Sequence, residues 1–147
     1  MYKLEPANII YNTAKDEGMP DLLAQMIVGQ SMHESNNYKH KFAKLYNSPF
    51  GYMYDKRSRW QKEGGSKADN GALIASYASF ADATREITDW IKRRQRKGQF
   101  PKDLNEIKVP MDYSKLLQDC GYYQGWGKYT KQQNREFYAL GISKGML

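Results

Sequence analysis

The stretch from residue 29 to residue 51 reads GQSMHESNNYKHKFAKLYNSPFG, and it joins the end of a helix to a turn. Asn36-Asn37 predicts the end of the helix, and a short second helix is expected over 38–46. The last five residues, 47–51, combine Asn, Ser, Pro and Gly, which is typical of a turn. The helix that ends at Asn36-Asn37 extends upstream of residue 29. Four residues recur at intervals of four, three and four and so share one of its faces: Leu23, Ile27, Gln30 and Glu34.

Outward from this stretch, helical spacing dominates the chain. A first helix is predicted over 6–17, ending at Gly18, and alternating apolar residues predict a β-hairpin from about 51 to 77. An apolar stripe then predicts a helix that begins at Ser79 or Asp82, and two further helices are expected around 113–120 and 131–140. With no internal repeat or linker, the prediction is one domain over 1–147. Its fold class is α+β, mostly helical with one small β-hairpin insertion.

Composition narrows the chemistry. The chain has 147 residues with a formal net charge of +7, one cysteine and two histidines. One cysteine excludes an internal disulfide and a multi-cysteine metal site. His33-Glu34 fails the zinc-protease pattern HExxH, because Asn37 stands where the second histidine belongs. We therefore expect no metal and no cofactor.

The chain also lacks the sequence marks of membrane insertion and export. No stretch approaches the roughly 18 apolar residues that span a membrane, and the first residues lack the basic and apolar regions of a secretory signal. We therefore expect synthesis in a cytoplasm, with delivery by other means if the protein acts outside. The charge of +7 favours a polyanionic partner, which from charge alone is nucleic acid, anionic lipid or an acidic cell wall.

Glu34 is the candidate for acid catalysis. It continues the buried face of its helix, and it lies in the last turn, where the helix dipole disfavours a carboxylate. Burial and the dipole both raise the pKa of the carboxyl group, so that it would hold a proton near neutral pH. Protonation of a glycosidic oxygen requires such a group. The alternative is an ordinary solvated glutamate on a helix surface.

Four short motifs carry a resemblance to a known family. They are GQSMHES over 29–35, NSPFG over 47–51, YASF over 77–80 and GYY over 121–123, the last followed by Tyr129. In this order they resemble the endo-β-N-acetylglucosaminidases of glycoside hydrolase family 73, which occur in bacteria and phages. The resemblance runs from about residue 18 to 142. It implies a lysozyme-like fold and hydrolysis of the glycan of bacterial peptidoglycan.

The resemblance also implies roles for individual residues. Glu34 takes the position of the general acid, and the remaining positions would line the cleft or shape it beside the scissile bond. Core packing is the alternative for Phe50 and Tyr77, and for Tyr122 the two interpretations are balanced. The implied substrate-binding residues are Gln30, Asn47, Phe50, Tyr77 and Tyr122.

A second carboxylate is the point where the chain departs from the family. The family commonly has one in the hairpin, and its local pattern is unclear here. Glu63 is preferred as the second catalytic residue, because it precedes the Gly64-Gly65 turn; Asp69 and Asp55 are the alternatives. If none of them reaches the cleft, water would have to be activated by another group, or the acetamido group of the substrate would assist.

Three further features have two interpretations each. The basic run Lys92-Arg93-Arg94-Gln95-Arg96-Lys97 is either a solvated helix end or a contact with an anionic polymer. Trp126 and Tyr129 either stack on sugar rings or pack against the last helix. Cys120 has no basic neighbour in sequence and is expected to be a packing residue.

The sequence thus predicts a peptidoglycan hydrolase that cleaves after N-acetylglucosamine. We expect a phage lysin, either released during lysis or carried in the virion, where other virion proteins would be partners; the resemblance argues against nucleic acid. One alternative is a muramidase or lytic transglycosylase, which needs a single catalytic glutamate. Another is a non-enzymatic phage structural or wall-binding protein on the same fold.

Overall fold

The computed structural model describes residues 1–67 and 69–147, which form six α-helices, two short 3-10 turns and one small antiparallel sheet. The predicted helices are all present, and their bounds differ from the predictions by a few residues. In chain order the helices are α1 (Glu5–Asp16), α2 (Asp21–Ser35), α3 (Lys41–Tyr46), α4 (Phe80–Arg96), α5 (Pro110–Asp119) and α6 (Lys131–Ile142).

The hairpin arm, residues 51–77, is inserted between α3 and α4. Its regular strands are only two residues long, β1 (Ser66–Lys67) and β2 (Leu73–Ile74), with Lys67 opposite Leu73. Isolated bridges from Met53 to Ile74 and from Gln61 to Tyr77 extend the pairing. The hairpin therefore lies where it was predicted, but much of the arm has no regular ladder.

Local sequence explains where the long helices begin. Pro20 immediately precedes α2 and cannot continue a hydrogen-bonded turn before it. The Ser79 side chain accepts a hydrogen bond from the Asp82 backbone N–H at 3.1 Å, so Ser79 is the N-cap of α4. Of the two predicted starts for α4, the structure uses Ser79.

Helix α2 is the centre of the molecule. Residues 23–31 are buried without interruption, so the helix is enclosed on nearly all sides rather than along the single predicted face. It packs against α1, α6 and the 3-10 turn Ser143–Gly145. A Cβ on Gly29 would lie 1.8 Å from the carbonyl oxygen of Ile142, so the two backbones are in direct contact there.

The remaining helices complete the body around this centre. Helix α4 packs on α1, and α5 packs on α6. Across the described ranges, no helix has both the length and the apolar character that crossing a bilayer requires. The hairpin arm lies opposite the end of α2, and a depression separates the two.

Candidate active site

Glu34 lies at the end of α2, where the helical body meets the hairpin arm. The Tyr138 hydroxyl on α6 donates a hydrogen bond to its Oε1 at 2.6 Å. On the other side, a Cβ built on Gly51 would lie 3.5 Å from its Oε2, so the first residue of the arm leaves the carboxyl uncovered. Burial raises the pKa of Glu34, and the hydrogen bond from Tyr138 opposes part of that rise. The shift has the predicted direction.

A cavity of about 720 Å³ opens beside this carboxyl group. One wall is the hairpin arm, and the others come from α4 and the loop after α5. Its volume lies in the range of pockets that hold small organic ligands. Lining residues include Glu34, Phe50, Gly51, Tyr52, Asp55, Gln61, Glu86, Trp90, Arg93, Arg94, Tyr122 and Tyr123.

Tyr122 connects the two sides of the cavity. Its hydroxyl donates to the Phe50 carbonyl oxygen at 2.9 Å. Its ring meets Tyr52 and Trp90 edge to face, with centroids 5.7 Å and 5.3 Å apart. Phe50 itself is 3% exposed, so its side chain packs inside the wall and offers little surface to a ligand. Three of the predicted residues, Glu34, Phe50 and Tyr122, therefore line one cavity.

Three other predicted residues lie outside it. Gln30 is fully buried, and the Tyr113 hydroxyl donates to its Oε1 at 2.6 Å. Asn47 adopts a left-handed conformation at the end of α3, and its Nδ2 donates to the Tyr77 carbonyl oxygen at 3.1 Å. Tyr77 is 1% exposed. Gln30 is buried because α2 is enclosed on nearly all sides, and the Tyr77 hydroxyl donates to Glu86, which lines the cavity.

The carboxylates of the hairpin arm separate from one another. Glu63 is exposed and lines a smaller pocket, which shares Tyr54, Asp55 and Gln61 with the main cavity. Asp69 is exposed and pairs with Lys41 at 3.0 Å. The preferred second carboxylate, Glu63, thus does not line the cavity beside Glu34, and its catalytic role stays a prediction.

Asp55, the third alternative, does line the cavity of Glu34. Its two oxygens accept hydrogen bonds from the Arg57 side chain at 3.1 and 3.2 Å. These bonds hold the pKa of Asp55 below its ordinary value, so it stays ionised where Glu34 favours its proton. Two carboxyl groups with opposite pKa shifts therefore share one cavity.

Glu86 is a lining residue that the sequence analysis missed. It is 9% exposed, accepts hydrogen bonds from Gln61 Nε2 at 3.0 and 3.2 Å, and accepts another from the Tyr77 hydroxyl. The helical spacing that singled out Glu34 also places Glu86 on the apolar stripe of α4, three residues after Ala83 and four before Trp90. That signal was available and would have found it.

The structure also gives the positions of the aromatic pair Trp126 and Tyr129 and of Cys120. Trp126 stacks on Tyr129 with ring centroids 5.9 Å apart and contacts Phe137, while 58% of Trp126 stays exposed. Cys120 lies at the edge of the main cavity, and burial raises the pKa of its thiol. In the part of the chain that the structure describes, no three His, Cys, Asp or Glu side chains are grouped to hold a metal.

Comparison with known proteins relates this geometry to a family. The sequence model of the glucosaminidase family, described as mannosyl-glycoprotein endo-β-N-acetylglucosaminidase, matches residues 7–141. No curated protein matches the chain.

Solved structures share the fold at low identity. A chain of a type VI secretion system effector–immunity complex from Pseudomonas protegens is 16% identical, with a TM-score of 0.64 over 95% of this chain and 87% of that one. A peptidoglycan hydrolase from Sphingomonas sp. A1 is 15% identical, with a TM-score of 0.61 over 92% of this chain and 81% of that one. The catalytic domain of the autolysin Auto from Listeria monocytogenes is 15% identical, with a TM-score of 0.54 over 95% of this chain and 79% of that one.

The structural matches confirm the predicted fold class, and the family match confirms the resemblance seen in the four motifs. The match covers most of the chain, including the end of α2, the hairpin arm and all but the last residue of α6. This chain belongs to the glucosaminidase family, glycoside hydrolase family 73, and is a glycoside hydrolase with a lysozyme-like fold.

Proposed function

We propose that the enzyme hydrolyses the β-1,4 glycan strand of bacterial peptidoglycan after N-acetylglucosamine, with Glu34 as the general acid. One observation carries the proposal: a carboxyl group with a raised pKa lies at an open cavity and is oriented by a single hydrogen bond from Tyr138. The names of the structural neighbours, a peptidoglycan hydrolase and an autolysin, support the choice of substrate.

The first chemical step follows from this arrangement. Glu34 donates its proton to the glycosidic oxygen as the bond to the leaving sugar breaks. Positive charge then develops on the sugar ring, and the ionised Asp55 in the same cavity stabilises that charge. The Glu34 carboxylate left behind keeps its hydrogen bond from the Tyr138 hydroxyl, which limits the cost of its charge.

A lytic transglycosylase reaction is the second candidate. It needs no base to activate water, and both other carboxylates of the cavity are already engaged, Asp55 with Arg57 and Glu86 with Gln61 and Tyr77. In that reaction a hydroxyl of the substrate replaces water and leaves an anhydro-muramic end. That the enzyme acts as a phage lysin stays a prediction of the sequence analysis.

Digestion of purified peptidoglycan tests both. Glu34→Gln should lower the rate by about 10²–10⁴, because the amide keeps the shape of the side chain but has no proton to donate. The matched control is Glu106→Gln, an exposed glutamate in a 3-10 turn, which should cleave at the normal rate.

Product mass spectrometry distinguishes the two reactions. Reducing N-acetylglucosamine ends support the proposal, and anhydro-muramic ends support the lytic alternative. If Glu34→Gln keeps more than a tenth of the activity, Glu34 is not the acid.

A further inference from the structure

A second depression continues the active-site cavity along α4. It has a volume of about 890 Å³ and is lined by side chains of the last two turns of α4 and by the hairpin arm. The two depressions share six lining residues, so they form one continuous groove: Asp55, Arg57, Glu86, Trp90, Arg93 and Arg94. We call the part along α4 the basic groove.

The acidic side chains of the basic groove already have partners. Glu17 pairs with Lys92 at 3.4 Å, and Asp89 pairs with Arg59 at 3.1 Å. Asp55 is engaged by Arg57, and the buried Glu86 is engaged by neutral groups. Three of the four acidic side chains in this groove are therefore paired with cations of the protein, and the fourth, Glu86, is hydrogen-bonded.

The cations of the basic groove outnumber these acids. Among the residues that the structure describes, Arg93, Arg94, Arg96 and Lys97 form no ion pair with an acidic side chain. Arg94 is held in place by neutral contacts. Its guanidinium lies 5.1 Å from the Trp90 ring and donates to Gln99 Oε1 at 2.9 Å.

A solvated helix end does not account for this arrangement. The helix dipole favours cations in the last turn of α4, but it does not require them to line a groove that runs into the site of cleavage. Ordered, unpaired guanidinium groups match planar carboxylates and bind them by paired hydrogen bonds. The groove is therefore suited to carboxylates that are carried on the bound polymer itself.

We propose that the basic groove binds the carboxylates of the stem peptides on the strand being cleaved, an inference that rests on the proposed function. A peptidoglycan strand carries a short peptide with free carboxylates on every second sugar. A strand bound across Glu34 would place such a peptide beside the cleft, where Arg93 and Arg94 line both depressions. The substrate would then be peptide-bearing strands in preference to bare glycan.

Binding of two matched polymers tests the proposal. Fluorescent glycan strands are prepared with their peptides and, after amidase treatment, without them, and anisotropy titrations use Glu34→Gln so that nothing is cleaved. We expect Kd to be about tenfold lower for the peptide-bearing strand near 0.1 M salt, the size expected of a few exposed charge pairs. The preference should shrink at 0.5 M salt, because exposed charges are screened.

Two charge-matched triple variants locate the effect. Adding Arg93→Gln, Arg94→Gln and Arg96→Gln should remove most of the preference. Adding Lys39→Gln, Lys102→Gln and Lys108→Gln removes the same charge from exposed sites outside both depressions and should leave the preference in place. Circular dichroism checks that both variants keep their helices.

Three outcomes would overturn the inference. They are equal binding of the two strands, an unchanged preference in the arginine variant, or tighter competition from a glycerol-phosphate polymer than from peptide-bearing strands. Failure of the proposed function looks different, because the wild-type enzyme would then cleave neither strand. If it cleaves bare strands and binds both equally, the hydrolase is established and the peptide site is wrong.

Discussion

The two walls of the cleft are built by different means. On the helical wall, α2 and the end of α6 touch backbone to backbone at Gly29, and Tyr138 reaches across to Glu34. The hairpin wall has two-residue strands and side chains such as Met53 and Leu73 that are 54% and 43% exposed. Its connections to the body include separate polar contacts, for example from the Trp60 indole to Asp89 at 2.8 Å.

The two walls therefore suit different tasks: the helical wall positions the proton donor, and the hairpin wall admits the substrate. A proton donor must be held within a fraction of an ångström, and close backbone packing provides that. A wall that receives a long polymer has to open locally, and a region with few buried contacts opens at low cost in free energy. The comparison predicts that substitutions in the helical wall act on stability and proton transfer, while those in the hairpin wall act weakly.

The largest effect is expected from Gly29→Ala. The new methyl group would meet the Ile142 carbonyl oxygen at 1.8 Å, so α2 and α6 must separate, and the free energy of unfolding should fall by about 3 kcal/mol. In the hairpin wall, Gly64→Ala has open space around it but a φ of +86°, and should cost about 1 kcal/mol. Denaturant unfolding measures both. A larger loss in Gly64→Ala would break the comparison.

Tyr138→Phe is expected to act next most strongly, on catalysis. Loss of a hydrogen bond to a charged group should lower kcat/KM by about tenfold. Since that bond lowers the pKa of Glu34, its removal should raise the pKa and move the alkaline limb of the pH–rate profile to higher pH. Tyr11→Phe is the control, because it removes a hydrogen bond to the Asp21 carboxylate outside both depressions. A limb that moves to lower pH would contradict the assignment.

The hairpin carboxylates should give a graded and smaller response. Asp55→Asn should lower kcat/KM by about fivefold, because it removes one partly exposed charge from the cavity of Glu34. Glu63→Ala and Asp69→Ala should each lose less than about twofold, with Glu63 the larger, as their side chains lie outside that cavity. A hundredfold loss in Glu63→Ala would mean that the arm bends to bring it in. Full activity in all three would favour the lytic reaction.

The smallest effect concerns stability and has a defined sign. Folding raises the pKa of Glu34 above the unfolded value of 4.5, so ionisation of Glu34 destabilises the fold. Glu34→Gln should therefore melt at a higher temperature than the wild type at pH 7. The difference should disappear below pH 4.5, where both states of the wild type are protonated. Melting curves from pH 3.5 to 8 measure this, and a lower melting temperature at pH 7 would contradict it.

Sequence reasoning reached the helices, the hairpin and Glu34, because each leaves a local trace. Helix spacing and turn residues are read within a few positions, and Glu34 lies in the last turn of its helix, within the motif GQSMHES. The partner of Glu34 leaves no such trace, since Tyr138 is 104 residues away. Only the packing of α6 on α2 brings the two together.

Two predicted residues lie outside the cavity of Glu34 for physical reasons. Gln30 shares a helix face with Glu34, but α2 is buried on nearly all sides, so a shared face does not mean a shared cleft. The sequence favours Glu63 by its place ahead of a glycine turn, but a hairpin arm with two-residue strands does not fix where such a residue points, and its catalytic role stays a prediction. Glu86 lies on the same stripe of α4 as Ala83 and Trp90, but no recognised motif marks it in the sequence.

The close approach of α2 to the 3-10 turn at 143–145 also bears on how the enzyme folds. Contacts there join residues far apart in sequence, such as the Tyr2 hydroxyl and the Gly145 carbonyl oxygen, which are 143 positions apart. Long-range contacts form slowly, because the chain must close a large loop before they gain any free energy. We therefore expect the environment of Glu34 to be completed late in folding, so that activity returns during refolding only when α6 has docked onto α2.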